Sequence, residues 1–203
     1  MPDAAPAGDG RRAAVDPHFG GAVPVTGTGP IFSLDGITPT IAPDAFIAPS
    51  AAVIGDVTVG SETGIWFHCL VRGDLNFIRI GARTNIQDGS IIHVDSGQFC
   101  TTIGDDVTVG HNAVIHACTL KDRAFVGISA TVLDGAVIEE GGMLAAGGLL
   151  TPGKAIGRNE LWAGTPARLL RVMTDEERRK FDRNAAVYRD LARRFRTGLR
   201  STT

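Results

Sequence analysis

Residues 120–162 read LKDRAFVGISATVLDGAVIEEGGMLAAGGLLTPGKAIGRNELW, and an apolar side chain stands at every sixth position. These positions are Leu120, Val126, Val132, Ile138, Leu144, Leu150, Ile156 and Trp162. A fixed period of six residues is typical of a parallel β-helix, in which each hexad forms one short strand and one corner. Three hexads complete a triangular coil, and successive coils stack at about 4.8 Å. The stretch therefore predicts a solenoid with a narrow apolar core.

The same period extends towards the start of the chain and accounts for its glycine content. Shorter runs begin at Ile41, Ile80 and Ile103, so that the repeat covers about residues 41–162. The 26 glycines among 203 residues would otherwise suggest a loop-rich or disordered chain. Because small residues fill the corners of a β-helix, we predict an all-β solenoid of hexapeptide repeats.

A C-terminal helix is predicted after the repeat. Thr174-Asp175-Glu176-Glu177 has the form of a capping box, with Thr174 as the N-cap and Glu177 reaching back to it. Apolar residues then recur at helical spacing and should pack on the side of the solenoid. They are Phe181, Ala185, Tyr188, Ala192 and Phe195.

The chain is thus divided into three parts. Residues 1–30 are rich in Ala, Gly, Pro and Asp without a hydrophobic secretory core, and we expect a flexible N-terminal tail. Residues 31–170 form the β-helix domain, and residues 171–203 form the C-terminal helix packed on it. No apolar run is long enough to span a membrane. Three cysteines without a CxxC pair fit a reducing compartment, so a cytoplasmic location is expected.

Charge is segregated along the chain, although the formal net charge is only −2. Residues 168–203 carry eleven Arg or Lys and five Asp or Glu, a balance of +6, while residues 1–167 carry nine and seventeen, a balance of −8. This pattern favours a basic helix docked on an acidic solenoid. Nucleic acid is not a predicted partner, since no aromatic stacking pattern accompanies the arginines.

Two histidines fall at equivalent places of the repeat. His93 directly follows Ile92, and His116 directly follows Ile115. Their separation of 23 residues equals one coil of 18 residues plus a five-residue insertion within Val94–Thr102. We therefore expect the two side chains at the same lateral position of adjacent coils, about 5 Å apart. Two imidazoles so placed can share one metal ion.

A third histidine, His111, lies one hexad before His116 and should occupy the opposite edge of an adjoining face. Within one chain it is poorly placed to join the other two. If three solenoids pack around a threefold axis, each interface can combine His93 and His116 of one chain with His111 of the next. Polar residues cluster near the same hexad positions. They are Arg72, Asp74, Gln87 and Asp88.

These motifs resemble the gamma-class carbonic anhydrases and their relatives. The resemblance covers about residues 35–195 and rests on VRGD at 71–74, NIQDG at 85–89, IH at 92–93, GHNAVIHAC at 110–118 and LWAGTPAR at 161–168. It implies a homotrimer of left-handed β-helices. It also implies an enzyme, a lyase that reversibly hydrates carbon dioxide to bicarbonate by means of a metal-bound hydroxide.

The resemblance further implies roles for individual residues. His93, His111 and His116 would hold zinc, with iron or cobalt as alternatives. Arg72 and Asp74 would form an ion pair between subunits. Gln87 would hydrogen-bond the reacting water, and Asp88 would support the metal ligands.

The chain departs from the best-known active members of that family in the loop after His93. Those members carry a longer acidic loop with a glutamate proposed as proton shuttle, whereas Asp95 is the one acid here. Leu75 stands where they have another glutamate. We therefore expect weak carbon dioxide hydration. Three alternatives stay open: a CoA-dependent acyltransferase, a metal-dependent CoA thioesterase, and a non-catalytic assembly protein whose metal locks the trimer.

Overall fold

The computed structural model of the chain describes residues 23–24 and 29–202. They form a left-handed parallel β-helix of about seven turns followed by one α-helix, so the predicted fold class is confirmed. Most of the predicted flexible tail, residues 1–22 and 25–28, lies outside the described residues. Gly29 and Pro30 already belong to the solenoid, because Gly29 N donates to Ile47 O at 3.1 Å and Val53 N donates to Pro30 O at 3.0 Å.

Short strands alternate with corners along the whole solenoid. The helix α1 is Asp175–Gly198. The strands are β1 (Val23–Pro24), β2 (Ile31–Phe32), β3 (Thr40–Ile41), β4 (Phe46–Ile47), β5 (Ala52–Val59), β6 (Gly64–Ile65), β7 (Leu70–Ile80), β8 (Asn85–Ile86), β9 (Ile91–His93), β10 (Thr101–Ile103), β11 (Thr108–Val109), β12 (Val114–His116), β13 (Thr119–Leu120), β14 (Phe125–Val126), β15 (Thr131–Val132), β16 (Val137–Ile138), β17 (Met143–Leu144), β18 (Leu149–Leu150), β19 (Ala155–Ile156), β20 (Glu160–Gly164), β21 (Ala167–Val172) and β22 (Arg200–Ser201).

The strands stack into three faces. The first face contains β4, β6, β8, β11, β14, β17 and β20, with β21 antiparallel to β20 at its end. The second face contains β9, β12, β15 and β18, and the third contains β10, β13, β16 and β19. The long strands β5 and β7 extend over both the second and the third face. Outside the solenoid, β1 pairs antiparallel with β22, which follows the helix.

The core is the column of hexad aliphatic residues. Most of them are fully buried, and Ile41 and Trp162 at the two ends are partly buried against the same column. Burying each such side chain contributes about 1.5–3 kcal/mol, so that the column is the main source of stability. Within it, the largest side chains with less than 2% exposure include Ile47, Ile65, Ile86, Ile92, Ile115, Leu120, Ile138, Leu144, Leu150 and Ile156.

The breaks in the six-residue period correspond to local changes in pairing. Gly55 of β5 pairs with Gly73 of β7, and the next pair is Val57 with Ile78, so that β7 contains three extra residues. The predicted five-residue insertion lies between β9 and β10, where residues 94–100 form a loop. Both extra segments project beside the end of β9, which carries His93.

The loop of residues 94–100 is held at two points. Asn76 Nδ2 donates to Gly97 O at 3.4 Å, which ties the loop to the bulge of β7. The Phe99 ring rests on Gly135, where an added Cβ would lie 2.9 Å from the ring. Gly135 has a φ of 64°, so both its backbone conformation and its contact with Phe99 favour glycine.

Helix α1 packs along the first face of the solenoid. Phe195 and Trp66 contact edge to face, with ring centroids 5.2 Å apart, and Tyr188 contacts Trp66 at 5.4 Å. Arg193 forms an ion pair with Glu62. Two residues separate the helix, which begins at Asp175, from β21, which ends at Val172. Among residues 23–24 and 29–202, no helix combines the length and the apolar character needed to cross a membrane.

Replacing Thr174 with alanine is expected to lower the free energy of unfolding by about 1 kcal/mol. Thr174 Oγ1 accepts from Glu177 N at 3.3 Å, and Thr174 N donates to Glu177 Oε2 at 2.9 Å, so both halves of the predicted capping box are present. Urea unfolding at a fixed protein concentration measures the change. Thr197→Ala, near the other end of the helix, is the control. An equal loss in that variant would contradict a specific capping role.

Candidate metal centre

His93 and His116 lie side by side on the second face. They are paired residues of β9 and β12, as their spacing in the sequence predicts. His93 Nδ1 lies 3.2 Å from His116 Nε2. Two nitrogens that bind one tetrahedral zinc ion through bonds of about 2.0–2.1 Å are separated by about 3.3 Å. The separation of the two rings therefore fits a shared zinc ion.

Each of these rings also contacts a carboxylate through its other nitrogen. His93 Nε2 lies 2.9 Å from Asp74 Oδ1, and His116 Nδ1 lies 2.7 Å from Asp134 Oδ1. An ionised carboxylate only accepts hydrogen bonds, and a neutral imidazole has a single N–H. Each ring therefore gives its N–H to its carboxylate, and the two facing nitrogens are both lone pairs. At 3.2 Å two lone pairs repel each other unless a cation, either a proton or a metal ion, lies between them.

Asp74 belongs to the three-residue bulge of β7 and also pairs with Arg72. Burial raises the pKa of Asp74, but the hydrogen bond with His93 and the Arg72 guanidinium outweigh it, and the pKa lies below its ordinary value. The Arg72–Asp74 pair seen here is within one chain, and the pair between subunits that the resemblance implies stays a prediction. The two residues are i and i+2 on one strand, so their side chains lie on the same side.

His111 lies elsewhere, at the edge between the first and second faces, as expected. Its Nδ1 is 3.1 Å from Asp88 Oδ2, and its Nε2 is 3.3 Å from the Tyr188 hydroxyl. Asp88 is held in turn by Phe67 N, which donates to Asp88 Oδ1 at 3.2 Å. In the part of one chain that the structure describes, no group of three or more His, Cys, Asp or Glu side chains is arranged to hold a metal ion.

Gln87 lies beside Asp88, on the His111 side of the molecule rather than beside His93. It is buried, and its Nε2 donates to Asn85 Oδ1 at 3.0 Å. Asn85 Nδ2 donates to Thr108 Oγ1 at 3.0 Å, which fixes the orientation of both amides. Among the described residues, no hydrogen bond to Gln87 Oε1 is present, and this oxygen can accept one from another molecule.

The structure therefore divides the predicted site residues into two groups. Arg72, Asp74, His93 and His116 come together on one edge of the solenoid, and Gln87, Asp88 and His111 come together on another. Within one chain the two groups do not meet.

Two residues beside these groups were not predicted as site residues. Asp134 lies 18 residues, one full coil, after His116, so the six-residue period could have identified it. Tyr188 was predicted to pack in the core from its place in the helical stripe, and it does pack on Trp66, yet its hydroxyl reaches His111. The nearby Cys118 is buried in the core of the solenoid, and this burial raises the pKa of its thiol.

The chain is similar in sequence to proteins of known name. The chain is 42% identical over 158 residues to a carbonic anhydrase of Geobacillus kaustophilus, a match covering 78% of this chain and 86% of that protein. It is 47% identical over 159 residues to gamma carbonic anhydrase 1, a mitochondrial protein of Arabidopsis thaliana, and the match covers 76% of this chain. The chain belongs to the gamma carbonic anhydrase family.

Two further comparisons define the extent of this relationship. The chain spans only 58% of the length of the Arabidopsis relative. A crystal structure of a hexapeptide transferase family protein from Anaplasma phagocytophilum superposes with a TM-score of 0.78 at 46% identity, covering 81% of this chain and 96% of that one. A comparison with models of protein families gives no match.

Proposed function

We propose that three copies of the chain assemble around a threefold axis and that each interface holds one divalent metal ion. His93 and His116 of one subunit and His111 of a neighbouring subunit are the ligands, and zinc is the proposed metal, with iron or cobalt as alternatives. Three neutral imidazoles are a donor set that suits these metals. The proposed reaction is the reversible hydration of carbon dioxide to bicarbonate.

The facing lone pairs of His93 and His116 carry this proposal. Both outer nitrogens are engaged by carboxylates, and the inner nitrogens are 3.2 Å apart, which leaves a place for a cation. His111 supports the same conclusion from its own side. Its Nδ1 faces Asp88 at 3.1 Å, so its Nε2 is the nitrogen that would bind the metal, in place of the Tyr188 hydroxyl that now lies 3.3 Å from it. Carboxylates that hold the far nitrogen of a metal-binding histidine are a general feature of such sites.

A divalent metal with three imidazole ligands supplies a Lewis acid that lowers the pKa of water towards neutrality. The chain's own residues then orient the reactants. Gln87, whose amide nitrogen is committed to Asn85, offers Oε1 to a water proton and directs the oxygen lone pair towards the carbon of carbon dioxide. Asp74 and Asp88 keep His93 and His111 in fixed tautomers, so the ligands do not have to rearrange during turnover.

The loop after His93 has few side chains that could carry protons away from the site. Its single acid, Asp95, accepts from Gly97 N at 3.1 Å and thereby closes a turn of the loop. Leu75, at the tip of the β7 bulge, is 56% exposed and has no proton to exchange. Because each turnover must release a proton, we propose that hydration is limited by proton transfer and is slow.

Stopped-flow carbon dioxide hydration on anaerobically purified protein of known metal content tests this function. We expect activity that tracks the metal content and disappears in His93→Ala. Because the proton is released after bicarbonate has left, the limit should appear in kcat, which we expect below about 10³ s⁻¹, whereas a fast zinc-hydroxide enzyme reaches about 10⁶ s⁻¹. His68→Asn is the control, because His68 is exposed and has a φ of 61°, which asparagine tolerates. A kcat near about 10⁶ s⁻¹ would contradict the proposed limit on proton transfer.

An acyltransferase or thioesterase acting on CoA esters is the second candidate, and one observation favours it. The superposed structure from Anaplasma phagocytophilum is named a hexapeptide transferase family protein, at 46% identity. Equilibrium binding of acetyl-CoA to the metal-free chain distinguishes the two functions. Tight binding of acetyl-CoA by protein without metal, together with no hydration, would replace our proposal. Full metal occupancy with neither activity would favour the non-catalytic assembly protein.

The cellular location is also a proposal. We propose the cytoplasm, on the basis of the three unpaired cysteines. Its Arabidopsis relative is a mitochondrial protein by name, so fractionation of the source cells is the relevant measurement.

A further inference from the structure

Asp134 lies in the turn after β15, 18 residues or one full coil after His116. Ile115 pairs with Val132, an offset of 17 residues, whereas Thr119 pairs with Val137, an offset of 18 residues. At the offset of 17 residues the position in register with His116 is Leu133, and Asp134 follows it at the start of the turn after β15. Gly135 N donates to Ala117 O at 2.8 Å, which fixes this turn at the end of β12.

The carboxylate of Asp134 differs from the two other carboxylates of the site. Asp74 is neutralised by Arg72, and Asp88 accepts from Phe67 N. In the described part of the chain, Asp134 has no cationic partner and its side chain contacts His116 Nδ1 alone, at 2.7 Å. An uncompensated carboxylate is a strong acceptor for an imidazole N–H.

We propose that Asp134 is a positioning residue that fixes His116 with its proton on Nδ1 and its lone pair on Nε2. This inference rests on the proposed metal site, because the lone pair on Nε2 is the one that faces His93 Nδ1 at 3.2 Å. Without Asp134, the His116 ring can carry its proton on Nε2, donate it to His93, and satisfy both rings without a metal ion. Asp134 therefore favours the arrangement in which the two rings can bind a metal ion over the one in which they are joined by an ordinary hydrogen bond.

The tautomer of His116 is measured directly by ¹⁵N NMR on metal-free, histidine-labelled full-length protein. We expect a proton on Nδ1 in the wild type and mainly on Nε2 in Asp134→Ala. Asp134→Asn keeps a carbonyl oxygen as acceptor, so this variant is expected to retain much of the wild-type tautomer. Such rescue by asparagine would not follow from a merely structural role of the turn.

Zinc affinity, measured by competition with a chromophoric chelator, is the second readout. Loss of the outer carboxylate is expected to weaken binding by about 10- to 100-fold in Asp134→Ala, and by less in Asp134→Asn. Asp122→Ala is the matched control. Asp122 occupies the same turn position two hexads earlier, but its carboxylate accepts from Asp105 N at 2.9 Å and contacts no histidine. We expect Asp122→Ala to leave the tautomer and the zinc affinity unchanged.

Failure of this inference can be told apart from failure of the proposed function. A wild-type protein that binds zinc, together with an Asp134→Ala variant of unchanged tautomer and affinity, would overturn the role of Asp134 alone. A wild-type protein that binds no zinc would overturn the proposed metal site and with it this role. Unfolding curves of each variant identify any loss of affinity that comes from misfolding.

Discussion

Alanine at His111 is expected to abolish metal binding as completely as alanine at His93, with a loss of affinity of more than about 100-fold in each case. The two residues lie on different edges of one chain, and His111 contacts Asp88 and Tyr188 rather than the other histidines. Equal losses therefore require that His111 meets the pair in another subunit. Metal content after exhaustive dialysis, together with chelator competition, measures the two affinities.

Mixed trimers provide the decisive control for a site shared between subunits. His111→Ala subunits keep the His93–His116 pair, and His93→Ala subunits keep the third ligand. Every mixed trimer then has one interface with all three histidines. Random 1:1 mixing should recover about a quarter of the wild-type metal capacity, because about three quarters of trimers are mixed and each has one site of three. If the mixed trimers recover no metal-binding capacity after subunit exchange, the shared site is excluded.

Replacing Ile115 with alanine is expected to destabilise the protein by about 2–5 kcal/mol. Ile115 is fully buried, pairs with Ile92 and Val132 on the two neighbouring coils, and directly precedes His116. The narrow core cannot collapse around the cavity, since strand pairing fixes the distances between coils. Urea unfolding of metal-free protein at one concentration measures the change and separates it from metal binding.

Ile128→Ala is the matched control for that variant. Ile128 is 53% exposed, and its truncation should change the free energy of unfolding by less than about 0.5 kcal/mol. Comparable losses in both variants would contradict the assignment of the core to the hexad column.

The solenoid could be predicted from the sequence because its buried side chains recur at a constant interval of six residues. The same period placed His93 against His116, since their separation is one coil plus a countable insertion. Contacts between side chains on neighbouring coils can be predicted in this way, by counting residues along the chain.

The residues that escaped prediction depend on features that cannot be counted in this way. Asp134 is the exception, because it lies one coil of 18 residues after His116 and counting by coils could have found it. Tyr188 lies 77 residues after His111, and their contact follows from how the helix docks. The Arg72–Asp74 pair within one chain depends on the bulge of β7, whose shape the slip of three residues did not define.

Helix α1 also constrains how long the solenoid can be. Arg178 Nη1 donates to Gly141 O at 3.1 Å, just before β17, and Arg196 Nη1 donates to Asp44 O at 2.7 Å, just before β4. Five strand spacings separate β4 from β17 on the first face, about 24 Å, and the 18 residues between the two arginines span about 27 Å of helix. An added or deleted coil between these contacts would shift one of them by about 4.8 Å. The helix thus sets the number of coils in a fold whose repeats would otherwise permit any number.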